Sequence, residues 1–165
     1  MISSTSMFDE EFNWSMPESR RDARELALQL LYAMEMTGVP PANVFRSLLP
    51  KIDNPTEPMQ YARRLVEQVY ERREELDAFI KRRSENWMFE RIAIIDLIIL
   101  RLAICEFLYA YEVPPKVSID EALELAKKYS TDKSSSYING LLDAVLFELR
   151  EQDRLVKSGR GMKEN

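Results

Sequence analysis

Apolar residues recur at intervals of three and four from Ala23 through Leu26, Ala27, Leu30 and Leu31 to Met34. That spacing lines one stripe of an α-helix and predicts a core-facing first element. Ser19 stands where the helix needs an N-cap, and Asp22, three residues on, can accept a hydrogen bond from the helix start. Gly38 and the pair Pro40-Pro41 stop the pattern. A short helix at about 42–49 follows, burying Val44, Phe45, Leu48 and Leu49, before Pro50, Pro55 and Pro58 enforce a loop. Thr56 caps the next stripe, formed by Met59, Ala62, Leu65, Val66, Val69 and Tyr70. Leu76, Phe79 and Ile80 continue it after a bend, into a basic end at Lys81, Arg82 and Arg83.

Trp87 and Phe89 open an apolar helix that runs to about 110, and Pro114-Pro115 ends that region. Ser118 and Glu121 have the Ser-x-x-Glu spacing of a capping box, with Val117 placed to pack on Ala122, and predict a helix over 119–129. Beyond the polar segment STDKSSS, a last helix is predicted from about 135 to 150. No stretch alternates with period two over a useful length, and no repeat has solenoid spacing. The expected fold class is all-α with about seven helices. The Pro-rich loop at 50–58 suggests a division between an N-terminal and a C-terminal bundle.

Composition refines this picture. A chain of 165 residues, 45% hydrophobic and 31% charged, can bury one substantial core and suits a soluble helical protein. Cys105 lies in an apolar run and reads as a small buried hydrophobe. A single cysteine allows no internal disulfide, which is consistent with a reducing compartment; no basic start precedes an apolar stretch, so no secretory signal is predicted. The expected location is cytoplasmic. Residues 92–110 are apolar enough to raise a membrane span, but Asp96, Arg101 and Glu106 interrupt them. Each charge would cost roughly 2.5–3.5 kcal/mol at mid-bilayer, so the segment reads as a buried core helix.

The net charge of −5 hides its own distribution. Residues 1–18 hold Asp9, Glu10, Glu11 and Glu18 and no lysine or arginine, which leaves the remainder close to neutral. Within that remainder the cations cluster at Arg20, Arg21 and Arg24, at Arg63 and Arg64, at Arg72 and Arg73, and at Lys81–Arg83. Local patches govern phosphate attraction, so the net value excludes no nucleic-acid partner. The expected organisation is an acidic flexible tail at 1–18, a helical domain at 19–150 and a flexible polar tail at 151–165.

Catalysis finds little support. The chain has no histidine, the usual general base, and its one cysteine therefore has no imidazole to activate it. No glycine-rich phosphate loop follows a strand. The carboxylate pairs Glu74-Glu75 and Asp120-Glu121 fall on helix surfaces or caps. Neither an enzyme nor a metal or cofactor site is expected.

Binding chemistry is better represented. Arg20, Arg21 and Arg24 fall within about one turn, and Arg21 and Arg24 share a face away from the apolar stripe. Guanidinium groups there suit phosphate oxygens and unpaired bases; the same residues also fit a solvated face paired with Glu18, Asp22 or Glu25. Lys133, Ser134, Ser135, Ser136 and Tyr137 begin the last helix, where free amides, hydroxyls and a cation attract anions and an aromatic ring can stack on a base. On the residues alone, plain capping with Tyr137 in the core is the favoured alternative. Asn139-Gly140 favours close backbone packing or an exposed polar contact. Leu28 and Tyr32 lie one turn apart opposite Ala27 and Leu31, and Asp96 interrupts an apolar helix. These three fit a protein contact, or alternatively a second core wall and an internal ion pair with Arg101.

Three blocks carry a family resemblance: RRDARELALQLLY at 20–32, FERIAIIDLIILRLAICEFL at 89–108 and EVPPKVSIDEALELAKKYSTDKSSSYINGLLD at 112–143. In order and spacing they resemble the NusB family of bacterial transcription antitermination factors, over about 19–150. The resemblance implies two small helical bundles packed across each other. It implies RNA contact by Arg20, Arg21, Arg24 and the 133–137 segment, with Asp22 a departure where a further basic residue is expected. It also implies that Tyr32 and Asp96 contact the ribosomal protein NusE and that Arg101 is structural. The implied function is an adaptor that joins NusE on single-stranded boxA RNA of ribosomal RNA transcripts, within an RNA polymerase antitermination complex with other Nus factors. Two other readings stay open: an RNA-binding module like the N-terminal domain of ribosomal RNA cytosine methyltransferases, and a helical interaction module or homodimer without RNA function.

Overall fold

A computed structural model describes residues 15–84 and 86–157, in which every regular element is helical. The expected tails at 1–18 and 151–165 thus fall largely outside the described residues. The chain separates into two compact units, residues 1–71 and 72–165.

The first unit holds α1 (Arg20–Thr37), α2 (Pro41–Leu48) and α3 (Glu57–Glu71). Ser19 caps α1 as expected: its Oγ accepts from the Asp22 amide at 3.1 Å, while Asp22 Oδ2 accepts from the Glu18 amide at 3.0 Å. Gly38 ends α1 in the left-handed region, at φ 74°, and its amide closes on Met34 O at 2.8 Å. The apolar stripe of α1 packs on α3, whose Met59, Ala62, Leu65, Val66 and Val69 are buried in turn. This pairing corrects the expected boundary at 50–58. That loop only connects α2 to α3, since α3 needs α1 as its apolar partner, and the division falls at residue 72, where the helix breaks with Arg72 at φ −105°, ψ 15°.

The second unit holds α4 (Arg73–Arg83), α5 (Asn86–Phe89), α6 (Ile94–Tyr109), α7 (Pro115–Tyr129) and α8 (Asp132–Glu151). Twelve of the sixteen residues of α6 are buried, so it is the axis on which α4, α7 and α8 pack. No described helix is long and apolar enough to cross a membrane. The charges inside α6 each tie it to a different neighbour. Asp96 Oδ2 accepts from Ser134 Oγ of α8 at 2.7 Å, Arg101 clasps Asp77 of α4 at 2.8 and 2.9 Å, and Glu106 Oε1 accepts from Ser118 Oγ of α7 at 2.7 Å. Arg101 is structural, as expected, but its partner is Asp77 and not Asp96.

Three predicted starts shift. Helix α7 begins at Pro115, not 119, because proline at the first helical position loses no amide partner and brings its own fixed φ. Ser118 is consequently buried in the second turn instead of capping, and Val117 is exposed. Helix α8 begins at Asp132, capped by Thr131, whose Oγ1 accepts from the Ser134 amide at 3.2 Å; the serines are inside the helix. Residues 86–89 form a separate turn before α6.

Beyond α8, residues 152–157 form no regular element and end on an anchored side chain. Lys157 is buried, and its Nζ donates to Glu106 O at 2.7 Å and Ala110 O at 2.9 Å, a second donor for carbonyls that already accept from the Ala110 and Val113 amides at the end of α6. Burial pushes this ammonium down to about 8, against the pull of Glu106 and Glu112, from an ordinary value of 10.5. Docking therefore shifts the group toward the neutral amine relative to the unfolded chain. Between those two values the unfolded chain holds a proton that the folded chain has released, so stability from this contact rises with pH across the window. Cys105 and Tyr109, both pushed up to about 12, mainly by burial, act in the opposite sense at higher pH. Comparison with Lys157→Met cancels them. The melting temperature of the wild type minus that of Lys157→Met is expected to grow from about pH 7.5 to 10. A flat difference would show that Lys157 does not titrate in the fold.

Candidate nucleic-acid interface

In the first unit, the Tyr61 ring of α3 gathers the cations. The Arg20 guanidinium lies 4.1 Å from the ring centroid, with Arg64 at 5.2 Å and Arg24 at 5.8 Å. Arg20 also donates through Nε and Nη2 to Glu57 Oε1 at 2.9 and 2.7 Å. Attraction to the buried ring's π face explains the convergence. It also corrects the expectation that Arg21 and Arg24 share an open face: Arg21 is exposed, but Arg24 retains only 7% exposure. Arg64 joins the group although sequence reasoning assigned it no role; its signal was the Arg63-Arg64 pair on the helix that packs against α1. Chemically, three guanidiniums meet one aromatic face, and Glu57 takes the Arg20 donors Nε and Nη2.

In the second unit, the start of α8 divides into inward and outward groups. Lys133 and Ser136 are exposed. Ser134 points inward, donating to Asp96 and accepting from Thr131 Oγ1 at 3.1 Å. The Ser135 hydroxyl, the Tyr137 hydroxyl and Asp96 Oδ1 are enclosed with no hydrogen-bond partner among the described residues. Burial raises the Tyr137 pKa, the Ser84 hydroxyl beside it lowers it, and Asp96 adds a smaller upward push. The Tyr137 phenol is therefore core-directed while its ring is half-buried. Asn139 and Gly140 are both exposed, and a Cβ built on Gly140 would meet nothing within 4 Å. Internal packing does not demand that glycine.

Of the residues expected at a protein contact, Tyr32 is half-buried and Asp96 is buried against Ser134. Leu28 is enclosed at 1% exposure, so it belongs to the core and offers no surface to a partner. The sequence placed Asp96 and Ser134 on separate surfaces, and the fold joins them in one hydrogen bond.

The NusB family profile matches residues 21–147. A transcription antitermination protein NusB of Salinibacter ruber is 43% identical over 145 residues, covering 87% of this chain and 91% of that protein. Among solved structures, T. maritima NusB aligns with a TM-score of 0.72 at 30% identity, covering 81% of this chain and 94% of that one. A structure of antitermination factors NusB and NusE in complex with dsRNA aligns with a TM-score of 0.69 at 26% identity, covering 78% of this chain and 96% of that one.

Proposed function

Because this chain belongs to the NusB family, we propose that it is a transcription antitermination adaptor that binds boxA-type RNA of ribosomal RNA transcripts together with NusE. The observation that carries the reading is the convergence of Arg20, Arg24 and Arg64 on Tyr61 with Arg21 exposed beside them. The accessible members of that group, Arg20 and Arg21, suit phosphate oxygens through charge-assisted hydrogen bonds, while the buried Arg24 helps to fix the Tyr61 face. Lys133, Ser136 and the half-buried ring of Tyr137 supply further polar and stacking contacts. Tyr32, half-buried with an apolar ring and a polar tip, suits the centre of a NusE contact; in the second unit Asp96, tied to Ser134, is the other residue assigned to that partner. The role is binding, not catalysis, within a larger polymerase complex containing other Nus factors.

Calorimetric titration with RNA and with NusE separately tests this. Arg20→Ala/Arg21→Ala, which spares the buried Arg24, is expected to weaken RNA binding about tenfold and leave NusE binding unchanged. Tyr32→Asp is expected to do the reverse. Single-stranded and double-stranded forms of the RNA are compared in parallel, since the solved NusB–NusE relative holds dsRNA. Unchanged RNA affinity in the arginine variant, or equal losses of both ligands in Tyr32→Asp, would count against the assignment.

A further inference from the structure

The basic end of α4 lies outside the contacts named so far. Glu148 of α8 is 8% exposed and receives Arg82 Nε at 3.2 Å and Nη2 at 3.0 Å, together with Arg83 Nη2 at 3.1 Å. The Arg82 hydrogen bond above all holds this carboxyl below the usual carboxylate range, so it is an anion at neutral pH. Arg82 and Arg154 both lie over the buried Phe79 ring, at 4.6 and 5.0 Å. Three guanidiniums therefore share one carboxylate and one ring among the described residues, and positive charge is in excess.

The side chains of Arg82 and Arg83 nevertheless keep 47% and 34% exposure. A guanidinium has five N–H donors; Glu148 takes Nε and Nη2 of Arg82 and one nitrogen of Arg83, which leaves the outer donors directed by a buried anchor and open to solvent. Anchored arginines of this kind lose less side-chain entropy on gripping an anion than freely rotating ones. The next residue along the chain, Ser84, lies beside the Tyr137 hydroxyl, so the basic end of α4 is continuous with the start of α8.

We propose that Arg82 and Arg83, held by Glu148, bind successive backbone phosphates of an RNA strand that passes Tyr137. This rests on the RNA-binding reading given above and extends its contact surface to α4. The partner is a nucleic-acid backbone because the donors are planar, fixed and paired, a geometry that suits phosphate oxygens at regular spacing.

Fluorescence anisotropy with a boxA-type single-stranded oligonucleotide over a salt series tests it, using the full chain. Arg82→Gln/Arg83→Gln is expected to weaken binding about tenfold. It should also flatten the dependence of log affinity on log salt by about 1.4, or about 0.7 for each lost phosphate contact. Arg82→Gln/Arg83→Gln/Glu148→Gln removes the carboxylate that would otherwise be left unpaired, and it decides the matter should the double variant unfold. Wild-type affinity and slope in either folded variant overturns the proposal. So does loss of NusE affinity with RNA affinity unchanged, which would make the patch a protein contact. Arg20→Ala/Arg21→Ala run alongside separates the two ideas. If it weakens RNA binding and the α4 variants do not, the functional reading stands and this extension falls; if the wild type binds no RNA, both fall.

Discussion

Leu28→Ala is expected to lower the unfolding free energy by about 2–5 kcal/mol, the range for removing a leucine side chain from a packed interior. Leu28 is 1% exposed, and α1 is covered beyond its primary stripe, with Arg24 and Ala33 also buried. The loss combines the transfer free energy of the deleted carbons with the cavity they leave. Denaturant unfolding should show a lower midpoint with an unchanged slope. The folded fraction should bind NusE as the wild type does, because no Leu28 surface is available to lose. Near-wild-type stability with weakened NusE affinity would instead place Leu28 on the contact surface.

Arg101→Ala is expected to cost about 3 kcal/mol, the low end for breaking a buried ion pair. The guanidinium meets both Asp77 oxygens, at 2.8 and 2.9 Å, with side-chain exposures of 9% for Arg101 and 18% for Asp77. Asp77 keeps some access to water, which limits the penalty of leaving it alone. The double variant Asp77→Ala/Arg101→Ala should lose less than the sum of the two single changes, because the second removal deletes a charge that is already uncompensated. Additive losses in unfolding measurements would show that the pair contributes little beyond packing.

The features legible in the sequence are those whose cause lies within a few residues. Ser19, Thr56 and Gly38 act at helix ends through neighbours three or four positions away, and each does what its spacing predicts. The all-α architecture follows from the same local periodicity. Misreadings occur where a distant group wins. The Ser118-Glu121 capping box is locally well formed, but Pro115 already starts the helix and Ser118 finds Glu106 twelve residues back. Asp96 and Arg101 look like partners in one dimension, yet a five-residue step turns them onto different sides of a helix, toward Ser134 and Asp77. Arg24 reads as a polar-face residue until Tyr61, thirty-seven positions on, gives its cation an enclosed π surface. The boundary at residue 72 was equally hidden, since it depends on which helix supplies the apolar partner of α3.

The Lys157 contact also has a place in the order of assembly. The two carbonyls it meets, at Glu106 and Ala110, precede it by 51 and 47 residues. The last helix has to pack on α6 before residue 157 can reach those carbonyls, so the contact is expected among the last steps of folding and outside the nucleus. A contact made after the transition state leaves the folding rate nearly unchanged and slows unfolding. Lys157 is thus expected to act as a latch: its effect is on how long the C-terminal unit stays folded once formed, not on how fast it gets there.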